Sequence, residues 1–168
     1  RSRCVEFSPE GKLLAIGRDD GRIKLWNLNT QQMVLEIRGH TDCVRGLSFS
    51  PEGSMLASGG FDNRVRVWDS EDGTLIRTLP GHGGQVARTI FSSNGLFMAT
   101  TGSGGTLHLW RVSDWTKVFG LKGVIPQAAA FSPDSRVIAV QRFTDRHIHL
   151  INVGDPSDTK AVLAGTGW

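Results

Sequence analysis

Five histidines, two cysteines and one glycine-rich tetrad are the residues of this 168-residue chain whose types invite a chemical reading. His147 and His149 alternate, so on an extended strand both imidazoles point to one face, as two metal ligands do. No third ligand is placed beside them by the pattern, and the pair reads as structural or solvated. Gly102-Ser103-Gly104-Gly105 has the composition of a phosphate loop, but such a loop needs a following helix whose N-terminus meets the anion. Strand-forming Thr106-Leu107-His108-Leu109 follows instead, so the tetrad reads as a turn. Cys4 and Cys43 are too few for a disulfide scaffold and favour a reducing, intracellular setting, cytoplasmic or nuclear. No nucleophile beside a base, no acid pair and no metal cluster emerges at a workable spacing. The expectation is a protein without catalytic residues, cofactor or metal.

Charge narrows the partners. Of the 19 cations 14 are Arg and 5 are Lys, which favours planar, bidentate contacts over simple solvation. Sixteen acidic residues are interspersed among them, leaving a net charge of +3 and no basic run. Nucleic-acid binding, which draws its affinity from neutralised phosphates, is therefore the weaker reading. Hydrophobic residues at 39% and charged residues at 21% match folded soluble domains. No apolar stretch is long enough to span a bilayer, and residues 1–20 hold no signal-peptide core.

The elements that position these residues come as an internal repeat. Phe7-Ser8-Pro9 recurs as Phe49-Ser50-Pro51, Phe91-Ser92-Ser93 and Phe131-Ser132-Pro133, in steps of 42, 42 and 40 residues. Trp26, Trp68 and Trp110 lie 19 residues after the first three phenylalanines, and the same spacing puts Leu150 in the fourth place. Residues 44–79 show the unit most clearly. Val44 to Phe49 reads as a strand, Pro51-Glu52-Gly53 as a turn, Met55 to Ser58 as a second strand, and Val65 to Trp68 as a third with period two. Asp72-Gly73 then turns the chain into a fourth strand, Thr74 to Leu79. Such a sheet has apolar groups on both faces and cannot bury them alone. Stacking each sheet between two like neighbours around an axis covers both faces and protects the edges. The fold predicted is an all-β propeller of four-stranded antiparallel blades, four in this chain, at about residues 1–38, 39–80, 81–121 and 122–168.

Gly39-His40 opening a copy and Trp68-Asp69 closing its third strand resemble the signature pair of the WD-repeat β-propellers, and the resemblance runs over essentially the whole chain. It implies a buried hydrogen-bond network in each blade, joining the His, a Ser or Thr on strand two, an Asp before strand three, and the Trp. The second copy matches fully with His40, Ser58, Asp62 and Trp68. The third has His82, Thr100 and Trp110, with Gly104 where the aspartate belongs. The first has Asp20 and Trp26 with Ile16 at the hydroxyl position, and the fourth has Val140 and Leu150 for Ser and Trp. The third network is expected to be incomplete, the second blade the best ordered and the fourth the loosest. Trp115 and Trp168, outside the repeat position, read as packing residues, and residues 163–168 read as the opening of a fifth copy.

The resemblance also implies a function. One loop face of such propellers commonly binds partner proteins or peptides, through residues just before the network aspartate and near the start of strand one. Here those contacts are expected to be Phe61, Arg45, Arg3, Arg18, Arg142 and Phe143. The chain is expected to act as a non-catalytic scaffold. The alternatives are a regulatory or targeting module of a larger multidomain enzyme, and a nucleic-acid-binding propeller. The resemblance implies rings of about seven blades, within the range of β-propellers generally. Four are therefore expected to be an excerpt of a longer protein with a larger ring, or half of a ring completed in a homodimer, or an unusually tight closure.

Overall fold

A computed structural model describes residues 1–145 and 147–162, without the side chain of Ala161. Four copies of one strand–turn pattern give four sheets. The first blade holds β1 (Ser2–Phe7), β2 (Leu13–Arg18), β3 (Arg22–Asn27) and β4 (Gln32–Arg38). The second holds β5 (Val44–Phe49), β6 (Met55–Gly60), β7 (Val65–Asp69) and β8 (Leu75–Leu79). The third holds β9 (Val86–Phe91), β10 (Phe97–Gly102), β11 (Thr106–Arg111) and β12 (Lys117–Lys122). The fourth holds β13 (Val124–Phe131), β14 (Val137–Arg142), β15 (Ile148–Asn152) and β16 (Thr159–Val162). Each sheet is an antiparallel meander in chain order. No helix of the described residues is long and apolar enough to cross a membrane. The expected fifth opening at 163–168, with Trp168, lies outside the described residues.

The Phe-Ser marker has a local cause. Ser8, Ser50, Ser92 and Ser132 each accept a hydrogen bond at Oγ from the backbone N–H of Leu13, Met55, Phe97 or Val137, at 2.9 to 3.0 Å, which closes the turn between strands one and two. Three of these turns carry a left-handed glycine, Gly11, Gly53 or Gly95. The fourth forces Ser135 to φ 61 instead.

Three cores lie between successive blades. Ala15, Ile23, Leu25 and Ile37 of the first pack on Leu47, Phe49, Leu56 and Trp68 of the second. Ala57, Val65, Val67 and Leu79 of the second meet Phe91, Met98 and Trp110 of the third. Ala99, Leu107 and Leu109 of the third meet Ala129, Ile138, Val140 and Ile151 of the fourth. Trp115 packs against the second of these cores, at φ 57.

The fourth blade departs from its expected register. Leu56 pairs with Trp68 and Met98 with Trp110, but Ile138 pairs with Ile151, and Leu150 pairs with Ala139. The turn between β14 and β15 is one residue longer than its counterparts, and a one-residue shift sends every later side chain to the opposite face. Ile151, not Leu150, therefore holds the tryptophan's place, and it is fully buried.

Candidate functional site

Beneath the loop face, hydrogen-bond networks hold the turns in place. In the second blade the Trp68 indole N–H donates to Ser58 Oγ at 2.8 Å, and Ser58 Oγ lies 2.7 Å from His40 Nε2. His40 Nδ1 meets Asp62 Oδ1 at 2.9 Å, and Arg66 Nη1 donates to Asp62 Oδ2 at 2.7 Å. Asp62 also accepts from the backbone N–H groups of Thr41 and Arg64, so one carboxylate ties the loop entering the blade to its own turn. Burial, only partly offset by Asp62, holds the His40 imidazole below its ordinary pKa. Against its own burial, hydrogen bonds from His40 and Arg66 hold Asp62 below the usual carboxylate range.

The third blade closes its network without an aspartate, against expectation. Trp110 donates to Thr100 Oγ1 at 2.9 Å, and Thr100 Oγ1 lies 2.7 Å from His82 Nε2. Thr106 Oγ1 on β11 meets His82 Nδ1 at 2.8 Å, which supplies the partner that Gly104 lacks. His108 stacks on His82 with centroids 4.1 Å apart. Burial, helped by the nearby His108 and Lys117, pushes the His82 pKa down to about 3.

The first blade forms no such network, which corrects the expectation for Asp20 and Trp26. Asp20 binds the Arg18 guanidinium at 3.1 Å and the backbone N–H of Arg22. With Ile16 at the hydroxyl position, the Trp26 indole has no hydrogen-bond partner among the described residues. In the fourth blade Asp145, in the turn before β15, meets His149 Nε2 at 2.8 Å and His147 Nδ1 at 3.6 Å, partners within its own blade. No group of three or more His, Cys, Asp or Glu among the described residues is arranged to hold a metal ion.

Above this framework lies a cleft of about 370 Å³ between the first two blades, lined by Arg3, Asp19, Asp42, Cys43, Arg45 and Phe61. The turn residue's backbone is fixed, since the Phe61 N–H donates to the Cys43 carbonyl at 2.8 Å. Arg3 Nε donates to Asp19 Oδ1 at 2.8 Å, so that cation is paired. Arg45, on β5, is exposed, and no carboxylate pairs with it among the described residues. Phe61 is half-buried and forms an apolar wall beside it. Burial pushes the Cys43 thiol up, so it sits there as a neutral group.

Of the six residues expected to bind a partner, three converge here: Phe61, Arg45 and Arg3. Arg18 turns aside to Asp20. Phe143 is 57% exposed on the fourth blade, its ring beside Gly105 of the third, and Arg142 Nε is buried without a hydrogen-bond partner. Sequence reasoning passed over Thr106, Asp42 and Asp145. Each is a polar residue near a turn, distinguished only by a neighbour on another strand or blade.

With this geometry in hand, the chain can be set beside known proteins. Residues 5–94, more than half of the chain, match the family model described as the anaphase-promoting complex subunit 4 WD40 domain. WD repeat and SOCS box-containing protein 1 of Danio rerio is 40% identical over 55 residues, covering 29% of this chain and 13% of that protein. Periodic tryptophan protein 2 of Arabidopsis thaliana is 39% identical over 44 residues, or 26% of this chain and 5% of that one. General transcriptional corepressor TUP1 of Saccharomyces cerevisiae is 38% identical over 45 residues, or 27% of this chain and 6% of that one. This chain thus spans a small part of the length of these relatives. Among solved structures, a chain in the crystal structure of the mitotic checkpoint complex superposes with a TM-score of 0.87 at 25% identity, over 96% of this chain and 51% of that one.

Proposed function

Because this chain belongs to the WD-repeat family of β-propellers, we propose that it is a non-catalytic scaffold that holds partner proteins or peptides in the cleft between its first two blades. One observation carries this reading: an exposed Arg45, unpaired among the described residues, stands beside the apolar Phe61 in a cleft of about 370 Å³ whose second-blade wall is held by the buried His40–Ser58–Asp62–Trp68 network. Arginine and aromatic side chains on a rigid support are the types that dominate interface energies. Arg45 suits an acidic group of the partner, and Phe61 suits an apolar side chain next to it. Arg3, already paired with Asp19, shapes the wall. Arg18, Arg142 and Phe143 lie outside the cleft and serve as contacts only for a partner that extends across several blades. Two free cysteines suit a reducing compartment, cytoplasmic or nuclear.

Affinity capture on the immobilised chain, with bound proteins identified by mass spectrometry and their binding then quantified, tests the proposal. Arg45→Ala and Phe61→Ala are each expected to weaken binding by about tenfold or more, with the circular dichroism unchanged. Partners retained in full by both folded variants would place the binding surface elsewhere. A second reading, that these blades serve as the targeting module of a longer protein, is supported by the small share of its relatives that the chain covers. Binding to nucleic acid that weakens steeply with salt would favour the third reading instead.

A further inference from the structure

The first strands of neighbouring blades meet near the axis, so each fourth strand lies at the outer rim. There a groove of about 620 Å³ runs between the second and third blades, lined by Leu75 to Pro80 on one side and by Trp110, Trp115 and Lys117 on the other. Each of these two blades has a blade of this chain packed on either side, so both walls are set within the arc itself.

The same joint one blade earlier is closed. Gly73, in the turn before β8, has φ 76 and donates its N–H to the Asp69 carbonyl at 3.0 Å. A Cβ on Gly73 would meet Ile37 and Leu35 of β4 at 3.1 and 3.2 Å, so no groove opens at that place. Trp115 stands 42 residues later in the same turn, with φ 57 and its N–H on the Arg111 carbonyl at 2.9 Å. A bulky side chain is an outlier in this left-handed region. Opposite it, Arg77 takes the place of Leu35, since Leu35 pairs with Leu25 and Arg77 with the equivalent Val67. An aliphatic contact over a glycine has thus become an exposed cation beside a half-buried indole. Backbone strain retained at the wall of a groove is a mark of use.

We propose that this groove binds an extended acidic peptide of a partner protein, about six residues long, as an added strand on β8. The peptide directs a carboxylate to Arg77 and Lys117 and lays an apolar side chain against Trp115. Three observations select this occupant. β8 is the edge of its sheet and pairs only with β7, which leaves its outer backbone groups open to another strand. All six residues from Leu75 to Pro80 line the groove, although alternate side chains of a strand point to opposite faces, so the groove follows the strand's edge. Arg77 and Lys117 are exposed and have no carboxylate partner among the described residues, and no acidic residue lines the groove. Leu75 and Ile76, 48% and 42% exposed, add apolar contact. This surface is separate from the Arg45–Phe61 cleft, and its occupation does not depend on that one.

Fluorescence anisotropy with a labelled six-residue peptide of alternating glutamate and valine tests the proposal, beside a counterpart with lysine for glutamate. The 168-residue chain is expected to bind the acidic peptide and not the basic one, and to lose the acidic one when its backbone amides are methylated along one edge. Arg77→Glu is expected to weaken the acidic peptide by about tenfold or more and to admit the basic one. Trp115→Gly, which gives this turn the residue type of the second blade, is expected to weaken binding about tenfold with the circular dichroism unchanged. Equal binding of the two peptides, no binding by the unaltered chain, or an affinity indifferent to both folded variants overturns the proposal. Self-association of the chain that Trp115→Gly abolishes would make a second copy the occupant and overturns it as well.

Discussion

At the scale of residues, the third blade shows that a buried imidazole needs a partner for each nitrogen but not a particular one. His82 is 6% exposed and has hydroxyl partners on both sides, Thr100 and Thr106, where the second blade uses a serine and a carboxylate. The exchange has a consequence for acid stability. The Asp62 carboxylate offsets part of the cost of charging His40. Two neutral hydroxyls cannot do so for His82, whose pKa falls to about 3 from an ordinary 6.5. Above the ordinary value both folded and unfolded chains keep this histidine neutral, and its contribution to stability is full. As pH falls below it, the unfolded chain takes up a proton that the folded chain refuses, and stability declines until the pH reaches the folded value. Urea denaturation at pH 7 and pH 5 is therefore expected to show a loss of about 2 kcal/mol from this group, at about 1.4 kcal/mol per pH unit. A flat profile over that window would place His82 in a less buried site.

At the scale of elements, a single inserted residue decides which side chain is core. The expected repeat put Leu150 in the tryptophan's place, because it lies 19 residues after Phe131 just as Trp68 lies 19 after Phe49. Counting assumes that every turn has one length, and the turn before β15 does not. Ile151 is consequently fully buried between the third and fourth blades, and Leu150 is half-buried on the other face. Ile151→Ala is expected to cost about 2 to 5 kcal/mol in chemical denaturation, the range for emptying a packed core site. Leu150→Ala is expected to cost less, since that side chain is only half-buried. The reverse order would restore the simple repeat count. The lost tryptophan leaves another mark. β3–β4, β7–β8 and β11–β12 each shift register at Trp26, Trp68 or Trp110, whereas β15–β16 run without a shift.

At the scale of the whole molecule, stability should grade from the middle outwards. The second and third blades are covered on both faces, the first and fourth on one. Opening a doubly covered sheet exposes two apolar faces, so its amides need a larger unfolding event to exchange. Hydrogen exchange is expected to protect β6, β7 and β10 most, and β1 and β13–β16 least. Uniform protection along the arc would mean that the blades unfold as one unit.

The sequence by itself determined the all-β class, the repeat of about forty residues, the turn positions and the complete network of the second blade. All of these rest on interactions between residues close in the chain or on a strict period. Only the tertiary structure decided that Thr106 completes the third network, that Asp20 and Trp26 join none, that Ile151 replaces Leu150, and that Phe61, Arg45 and Arg3 share one cleft while Arg18, Arg142 and Phe143 do not. Each of these depends on side chains from different strands or blades arriving at one point. A shift of one residue in register, or one more member in a turn, changes that arrival without altering the pattern that can be read along the chain.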